Sequence, residues 1–467
     1  MLPTLKEEGP RYQFTANDVR DIISGGDRER MRAVSNYFYA VSGIYRRLLY
    51  FFAAMPNFYN LVTPHLLSEK VSDKKLMKDF EEALAFVDQL DIQNIFPSIN
   101  LALFKNGVYF GYLRDDKEHA VIQTLPIQYC RSNYKTNNRY VVEFNVEYFD
   151  REFLTHQEKE AALKKFPKEF GQEYRRFKSG GAGGIDAQWR MLDPDRAICF
   201  KLPDEAPFFL SIIVDLIELR EAKNIELSKD RLQLFQLLVQ KLPVNKDGDL
   251  IFGLPEAREL HKNALKMIEN NSGIDVLTTF AEVEVKNMKD TRDLQKDNLL
   301  KSERAVFNEA GVSKMFFATE GNLAMQFSIQ TNEAILRFIL PQYNTWLTHA
   351  VNLVTRNTGS KYYFEVWIPP VTIYNEKEME EKFRRQATHG YAKLLPGIMT
   401  GMKQSTLLSL MKFENHYLKL NDMMEPLKST HTMSGKKEPG EPGRPEKPPH
   451  EKDDGTLGNE EGIQGGD

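Results

Sequence analysis

Four basic residues near the middle of the chain could bind phosphate groups. They are Arg292, Lys296, Lys301 and Arg304. Successive members are 4, 5 and 3 positions apart, so a helix would bring several of them onto one face, where they could meet phosphate oxygens. The alternative is an exposed helix that carries both signs of charge, because acidic residues stand between the basic ones at Asp293, Asp297 and Glu303. Lys314, in the segment that follows, carries a similar signal.

Motifs for nucleotide, nucleophile or metal chemistry are missing from the sequence. The glycine-rich run Gly180–Gly184 is followed by Ile185 and Asp186, which fits neither a P-loop nor a dinucleotide-binding loop, and we interpret it as a linker. No C-x-x-C or H-E-x-x-H occurs, and the nine histidines lie far apart. The sequence therefore predicts no metal, no cofactor and no enzymatic activity. A site assembled from distant residues is the alternative that one sequence leaves open.

Length and charge limit the class of protein. A chain of 467 residues is too long for one hydrophobic core, and we expect two to four substructures. The net charge of −4 argues against a protein that coats nucleic acid, since such proteins are basic. Residues 436–467 hold five basic and nine acidic residues, so the rest of the chain is balanced in charge. By composition this acidic tail is predicted to be disordered.

Neither the cysteines nor the apolar stretches indicate a secreted or membrane protein. One disulfide between Cys130 and Cys199 is arithmetically possible, but buried free thiols are the favoured interpretation. The first residues, MLPTLKEEGPRYQF, lack the apolar core of a signal peptide. The most apolar stretches, 48–56 and 207–217, are shorter than the roughly 18 residues that a membrane span needs. We expect a soluble protein made in the cytoplasm.

The first part of the chain predicts helices followed by a small sheet. Apolar residues at spacings of three and four predict helices that start near Thr15 or Asn17, at Arg28–Met55 and at Asp73–Leu90. Alternating or apolar runs predict strands at Val108–Leu113, Ala120–Leu125 and Arg139–Phe149, which would form a sheet with one wet face. Residues 156–178 are charged and predicted to be helical, and residues 178–184 connect them to the middle of the chain.

The middle of the chain predicts two helices around a compact insert. The helices span about 206–223 and about 290–310. Within the insert, 231–243 fits either a strand or a short helix, and a helix at 255–271 and a strand at 274–285 follow. A loop-like stretch leads to a helix at 333–354 with Pro341 inside it. The remaining predicted elements are a strand at 362–368 and helices at 376–389 and 404–420.

The first of these two helices is apolar nearly all round. Other helices or neighbouring subunits must therefore cover it. We take six of its residues as candidate subunit-interface residues: Phe208, Phe209, Ile212, Ile213, Leu216 and Ile217.

Several segments resemble portal proteins of tailed double-stranded DNA bacteriophages. Near the N-terminus these are SGIYRR at 42–47 and FFAAMP at 51–56; further along they are LPIQYCR at 125–131, LDPDR at 192–196, APFF at 206–209 and GIDVLTT at 273–279. FEN at 413–415, DMMEPL at 422–427 and GRP at 443–445 complete the set. The resemblance covers most of residues 30–445 and depends on the order of the segments.

The resemblance implies an α+β, predominantly helical, portal-type subunit that assembles into a ring, typically a dodecamer. Such a subunit has a wing, a two-helix stem with an α/β clip inserted, a tunnel loop and a helical crown. The implied segments are 1–205 (wing with a small β-sheet), 206–223 (first stem helix), 224–289 (clip), 290–311 (second stem helix), 312–330 (tunnel loop), 331–435 (C-terminal wing and crown) and 436–467 (acidic tail). The implied DNA-channel residues are Arg292, Lys296, Lys301, Arg304, Lys314 and Asn322.

The implied function is mechanical. A portal forms the channel for DNA packaging and ejection at one capsid vertex of the virion, and its ATPase belongs to the terminase. The implied partners are further copies of the chain, the double-stranded DNA that passes through, the terminase large subunit, the major capsid and scaffolding proteins and the head–tail connector, with no membrane. The alternative is an oligomeric scaffold or adaptor protein without a channel. A hydrolase or nuclease with a site built from distant residues is a third possibility.

Overall fold

The computed structural model describes residues 12–65, 73–115, 119–136, 139–180, 186–234, 236–241, 253–268, 274–279, 292–310 and 333–420. These residues are mostly helical and include several small sheets, in agreement with the predicted α+β class. The chain divides into two compact units, residues 1–407 and 408–467.

Three helices begin the described chain: α1 (Ala16–Gly25), α2 (Arg28–Val41) and α3 (Gly43–Ala54). Thr15 is the N-cap of α1, as predicted, and forms a capping box with Asp18. The prediction of one helix over 28–55 is wrong, because the helix is interrupted at Ser42. The Ser42 hydroxyl accepts a hydrogen bond from the Tyr45 amide and caps α3, so the serine favours a new helix start over continuation.

The next elements are strand β1 (Leu61–Pro64) and helices α4 (Asp73–Leu90) and α5 (Ile92–Asn106). α4 confirms the predicted range. α5 had no prediction, because its apolar residues show no clear stripe and Pro97 lies inside it. At the end of α5, Gly107 takes a φ of +79°, a left-handed conformation that glycine adopts without strain.

Short antiparallel strands follow, in three separate sheets. The strands are β2 (Val108–Asp115), β3 (Ala120–Thr124), β4 (Cys130–Arg131), β5 (Lys135–Thr136), β6 (Arg139–Tyr140), β7 (Glu143–Asn145), β8 (Trp189–Met191) and β9 (Ala197–Lys201). The sheet orders are β3-β2-β9, β4-β7-β8 and β5-β6. The prediction of one sheet with a wet face is wrong for β2, whose residues 108–113 are all buried. Helices α4 and α5 pack against the first sheet, while alternate residues of β2 enter an aromatic cluster.

The predicted strand over 139–149 is interrupted twice and ends in a short helix, α6 (Tyr148–Arg151). The side chain of Asn145 accepts a hydrogen bond from the Glu147 amide at 3.0 Å, a local turn that competes with strand pairing. The predicted helical region 156–178 consists of α7 (His156–Lys165) and α8 (Lys168–Lys178), separated at Pro167. These helices cover the aromatic cluster, in which Cys130 and Cys199 are buried free thiols, as predicted.

The middle of the chain contains α9 (Ile212–Leu234), β10 (Gln236–Lys241), α10 (Leu254–Ile268), β11 (Ile274–Thr279) and α11 (Arg292–Glu309). For parts of this region, including all of β10, β11 and the first half of α11, the structure describes the backbone alone.

The last part of the chain contains α12 (Leu336–Asn357), β12 (Phe364–Trp367), α13 (Glu376–Thr388), α14 (Leu395–Ile398) and α15 (Gln404–Lys412). β12 pairs antiparallel with β1, Leu61 facing Trp367. The predicted helix over 404–420 changes at Phe413 into a π-helical segment that ends at Leu418. Residues 421–467, including the predicted acidic tail, lie outside the described residues.

A dense aromatic core forms around Tyr343 of α12. We call it the body core; its rings are Phe58, Phe96, Tyr109, Phe200, Tyr343 and Trp346. The predicted helix at 333–354 is present as α12, and one of its faces, which includes Tyr343, is buried. The Tyr343 hydroxyl donates to Asn100 Oδ1 at 2.5 Å, and the Asn100 amide donates to the Ala53 carbonyl at 3.3 Å. The Tyr343 hydroxyl and the Asn100 side chain are therefore paired, as burial requires, whereas the buried Trp346 Nε1 has no hydrogen-bond partner among the described residues.

Candidate functional site

The candidate site is the pair of helices α9 and α11, which we call the helix pair, together with the insert between them. α9 begins at Ile212 and ends at Leu234, so the predicted bounds of 206 and 223 are both wrong. Glu205 has a φ of 53°, and the Phe208 amide donates to the Phe104 carbonyl at 2.9 Å. These features hold the chain before Ile212 in turns against the end of α5, and Pro207 disfavours helix in the residue before it.

The insert is a β-α-β unit. β10 and β11 pair in parallel, from Gln236 facing Ile274 to Lys241 facing Thr279, and α10 lies between them in sequence. Parallel neighbours need a crossover connection, which α10 supplies. The ambiguous range 231–243 is helical up to Leu234 and then a strand. The end of the predicted strand, at 280–285, lies outside the described residues.

The two helices of the pair run antiparallel and pack on each other. At 1.5 Å per residue, α9 is about 35 Å long and α11 about 27 Å. Asp215, near the start of α9, interacts with Glu309 at the end of α11. We call this end of the pair its base; the insert therefore lies at the opposite end, where α9 leads into β10.

The base is buried by the chain itself. Five of the six candidate interface residues, Phe209, Ile212, Ile213, Leu216 and Ile217, are at most 3% exposed in the single chain. Helix α1 packs against α9, and Phe52 of α3 contacts the Phe209 ring at 4.9 Å between centroids. The sequence was right that these residues must be covered, but the cover comes from the same subunit and leaves them almost no surface for a neighbour. Phe208 is the exception, at 37% exposed.

Towards the C-terminal end of α9, apolar side chains are no longer buried. Ile225 is 55% exposed and Leu227 is 58% exposed. Large apolar side chains on one exposed stretch of a helix are typical of a surface that packs against another molecule. Neither residue belongs to the six predicted interface residues, although both lie just beyond the apolar run that contains those six.

Acidic groups crowd the base of the helix pair. Burial raises the pKa of the Asp215 carboxyl, and the nearby carboxylates of Glu309 and Glu218 raise it further, while Arg20 opposes them. The Arg20 guanidinium pairs with Glu218 at 2.6 Å. Arg20 therefore ties α1 to the base and offsets part of the repulsion among the carboxylates.

The predicted basic set is only partly visible. Lys301 and Arg304 of α11 are exposed, and their spacing of three places them on one face of the helix. For Arg292 and Lys296 the structure gives their place in the first turns of α11 but no side-chain surroundings. Lys314 and Asn322 lie outside the described residues. The structure thus places two cations of the predicted set on one exposed face of α11.

The described ranges contain neither a metal-binding cluster nor a helix that could span a membrane. No group of three or more His, Cys, Asp or Glu side chains there could hold a metal ion. Among the helices of the same ranges, none combines the length and the apolar character needed to cross a membrane.

Comparison with known proteins gives little further information. No family model matches the sequence, and no curated protein matches it. A solved structure titled "Virion of native gene transfer agent (GTA) particle" is similar to this chain over 82% of its length and 91% of that chain, with 10% identity and a TM-score of 0.37. A likeness at this level establishes neither a shared fold nor a shared role.

Proposed function

We propose that this chain is the subunit of a portal-type ring, through which double-stranded DNA passes at one vertex of a viral capsid. The observation that carries the proposal is the order of elements from Ile212 to Glu309: a long helix, a β-α-β unit, and a second helix that packs back on the first. This order matches the stem, clip and stem that the sequence resemblance implies. In this proposal the helix pair is the stem and the insert is the clip.

Exposed apolar groups on α9 support assembly into a ring. A closed ring requires head-to-tail contacts, in which one side of each subunit meets a different side of the next. Ile225 and Leu227 are exposed in the single chain and lie outside the buried base. Because they are two positions apart, about 200° around the helix, they offer one apolar group on each of two sides of α9. Contact with a neighbour would remove them from water, which favours association by about 25 cal/mol for each Å² of apolar surface buried.

The charge distribution supports a channel that lets DNA slide. Outside residues 436–467 the numbers of basic and acidic residues balance. Many fixed phosphate contacts would produce a tight, salt-dependent grip on the duplex. The proposed lining therefore needs only a few cations, with Lys301 and Arg304 on α11 and Lys314 in the following segment as candidates. A place in the channel lining for Arg292, Lys296 and Asn322 remains a prediction.

The remaining roles follow from the same assignment. Residues 1–205 and 331–435 would form the wing and crown among the major capsid and scaffolding proteins. The clip would dock the terminase large subunit during packaging and the head–tail connector afterwards. The chain would be a virion component and would not itself hydrolyse ATP.

The decisive experiment is negative-stain electron microscopy of the purified full chain, with mass photometry on the same sample. We expect rings of about twelve subunits (the number typical of portals) with a central hole wide enough for duplex DNA, which is ~20 Å across. A monomer or dimer at every concentration would contradict the proposal. A closed assembly without a wide hole would favour the scaffold or adaptor alternative.

Two variants test the surfaces. Ile225→Asp together with Leu227→Asp should block ring formation, whereas Leu154→Asp, which replaces an 87% exposed leucine outside the helix pair, should not. For the channel, Lys314→Glu should reduce DNA packaging or retention in particles while rings still form. Normal packaging by this variant would remove Lys314 from the lining.

A further inference from the structure

A basic cavity lies between α2, the segment 130–135 and the end of β9. It has a volume of about 550 Å³ and opens to solvent. Its charged lining residues are Arg28, Arg32, Arg131, Lys135, Lys201 and Glu205. None of these residues belongs to the helix pair or to the predicted channel set. The proposed portal function therefore does not account for the basic residues of this cavity.

The floor of the cavity is built around a buried lysine. The Lys201 side chain is only 6% exposed, and its ammonium donates to the Ser132 carbonyl at 2.6 Å and to Glu205 Oε1 at 2.9 Å. The other oxygen of Glu205 accepts from Arg28 at 2.5 Å. One carboxylate therefore serves two cations. Glu205 is held there by a left-handed backbone turn that packs directly on Gly107.

Two more cations have no carboxylate partner within the part of the chain that the structure describes. Arg32 donates its Nε–H to the Asn106 carbonyl at 3.0 Å, a neutral acceptor, and the carboxylates of Glu205 and Glu29 attract it without forming an ion pair with it. Lys135 lies over the Tyr140 ring, with its nitrogen 4.3 Å from the ring centroid. Lys201 lies near the same ring at 4.8 Å. Counting the two acidic partners of Arg131, Glu143 and Asp186, the cations of this cavity still outnumber the carboxylates around them.

A buried hydroxyl on the lining also lacks a proper partner. Ser132 is 8% exposed and lines the cavity, and its Oγ makes no hydrogen bond of ordinary geometry. Its polar neighbour is the Cys199 thiol, a weak acceptor. Buried hydroxyls normally have a partner, so an unpaired one beside excess positive charge indicates a missing acceptor.

We propose that this cavity binds a phosphate-bearing ligand of nucleotide size. Phosphate supplies both the negative charge that balances Arg32 and Lys135 and the acceptor oxygens that arginine binds best. The volume is within the usual range for small-molecule sites. Tyr134, a residue that is 48% exposed and also lines the cavity, could stack on a base. The inference does not depend on the channel, because every residue in it lies outside the helix pair.

The test is calorimetric titration of the full chain with ADP and with inorganic pyrophosphate at low ionic strength. We expect saturable binding that weakens about tenfold in Arg32→Gln and about tenfold in Lys135→Gln, the usual effect of losing one charge-assisted hydrogen bond. Arg384→Gln and Lys164→Gln, which remove exposed cations from α13 and α7, are the matched controls and should leave binding unchanged. Circular dichroism of each variant confirms that it is folded.

The titrations have outcomes that support the proposal and outcomes that contradict it. Absence of saturable binding of either probe overturns the proposal, as does equal binding by the two cavity variants and their controls. If Arg32→Gln fails to fold, Lys135→Gln, on an exposed strand, still decides the matter. A short single-stranded oligonucleotide then identifies the source of the phosphate. If the oligonucleotide competes with ADP for the cavity, and this competition is lost in Lys135→Gln, the ligand is a nucleic-acid backbone. If the oligonucleotide does not compete with ADP, the ligand is a free nucleotide.

Discussion

The body core and the helix pair contain the same kinds of apolar residue but bury them to very different degrees. Around Tyr343 the aromatic rings are almost wholly buried, and the Tyr343 hydroxyl and the Asn100 side chain are hydrogen-bonded. On α9 the residues near Ile212 are equally buried, yet Ile225 and Leu227 are more than half exposed. The body core is thus completed by one chain, whereas the outer part of the helix pair is left incomplete.

This difference separates stability from assembly. Residues of the body core and of the base hold the subunit together, so their substitution should lower the free energy of unfolding. Residues on the outer part of α9 contribute little to the isolated subunit, and their substitution should act on association instead.

The largest expected effect compares the two ends of α9. Leu216→Asp with Ile217→Asp places two charges in the buried base and should cost about 4 kcal/mol or more, enough to prevent cooperative folding. Ile225→Asp with Leu227→Asp should change the stability of the dilute subunit by less than about 0.5 kcal/mol. Urea unfolding followed by circular dichroism measures the free energy of unfolding of both double variants. A similar loss of stability in the two would contradict the difference between the buried base and the exposed part of α9.

The next effect concerns the junction between the body core and the chain that leads into α9. A Cβ at Gly107 would lie 2.4 Å from the backbone of Glu205, and the residue has a positive φ. Gly107→Ala should therefore cost about 3 kcal/mol. Gly390→Ala, which has the same backbone strain but open space around it, should cost only about 1 kcal/mol. An equal cost at the two glycines would show that the close approach is unimportant.

A smaller effect is expected inside the body core. Tyr343→Phe leaves Asn100 Oδ1 buried without its donor, which should cost about 2 kcal/mol in thermal or urea unfolding. Tyr391→Phe, at a side chain that is 68% exposed, is the control and should be close to neutral. No loss in Tyr343→Phe would mean that the buried pair is not needed for stability.

The smallest effect is a pH dependence at the base of the helix pair. The Asp215 carboxyl has a raised pKa in the folded chain, so the folded state binds this proton more tightly than the unfolded state. Its contribution to stability therefore falls as pH rises from the ordinary aspartate pKa through the folded pKa. Asp215→Asn should therefore stabilise the chain above that range, by no more than about 0.5 kcal/mol because the group is partly solvated.

The measurement is urea unfolding of both proteins from pH 3 to pH 7, pH 3 being below the ordinary aspartate pKa of about 3.9. The difference between them should vanish at the acid end. A destabilising effect of Asp215→Asn at neutral pH would show that the carboxylate is favourably paired rather than crowded.

Local sequence predicted many elements well. α4, β2, β3, α10, α11, β12 and α13 were predicted near their observed bounds, because each has clear periodicity or flanking turn residues. The predictions failed where a side chain or a distant backbone group competes with local propensity. Ser42 ends one helix because it caps the next. The Phe104 carbonyl accepts a hydrogen bond from the Phe208 amide, so α9 begins later in the chain than predicted.

The sequence by itself determined which residues must be covered and in what order the elements follow, because hydrophobic periodicity and turn chemistry are local properties. It could not say what covers them. Only the tertiary structure showed that α1, α3 and α11 bury the base of α9, and that Ile225 and Leu227 are left exposed. The cavity around Lys201 was likewise hidden, because its cations come from residues 28–32, 131–135 and 201 and meet only when the chain folds.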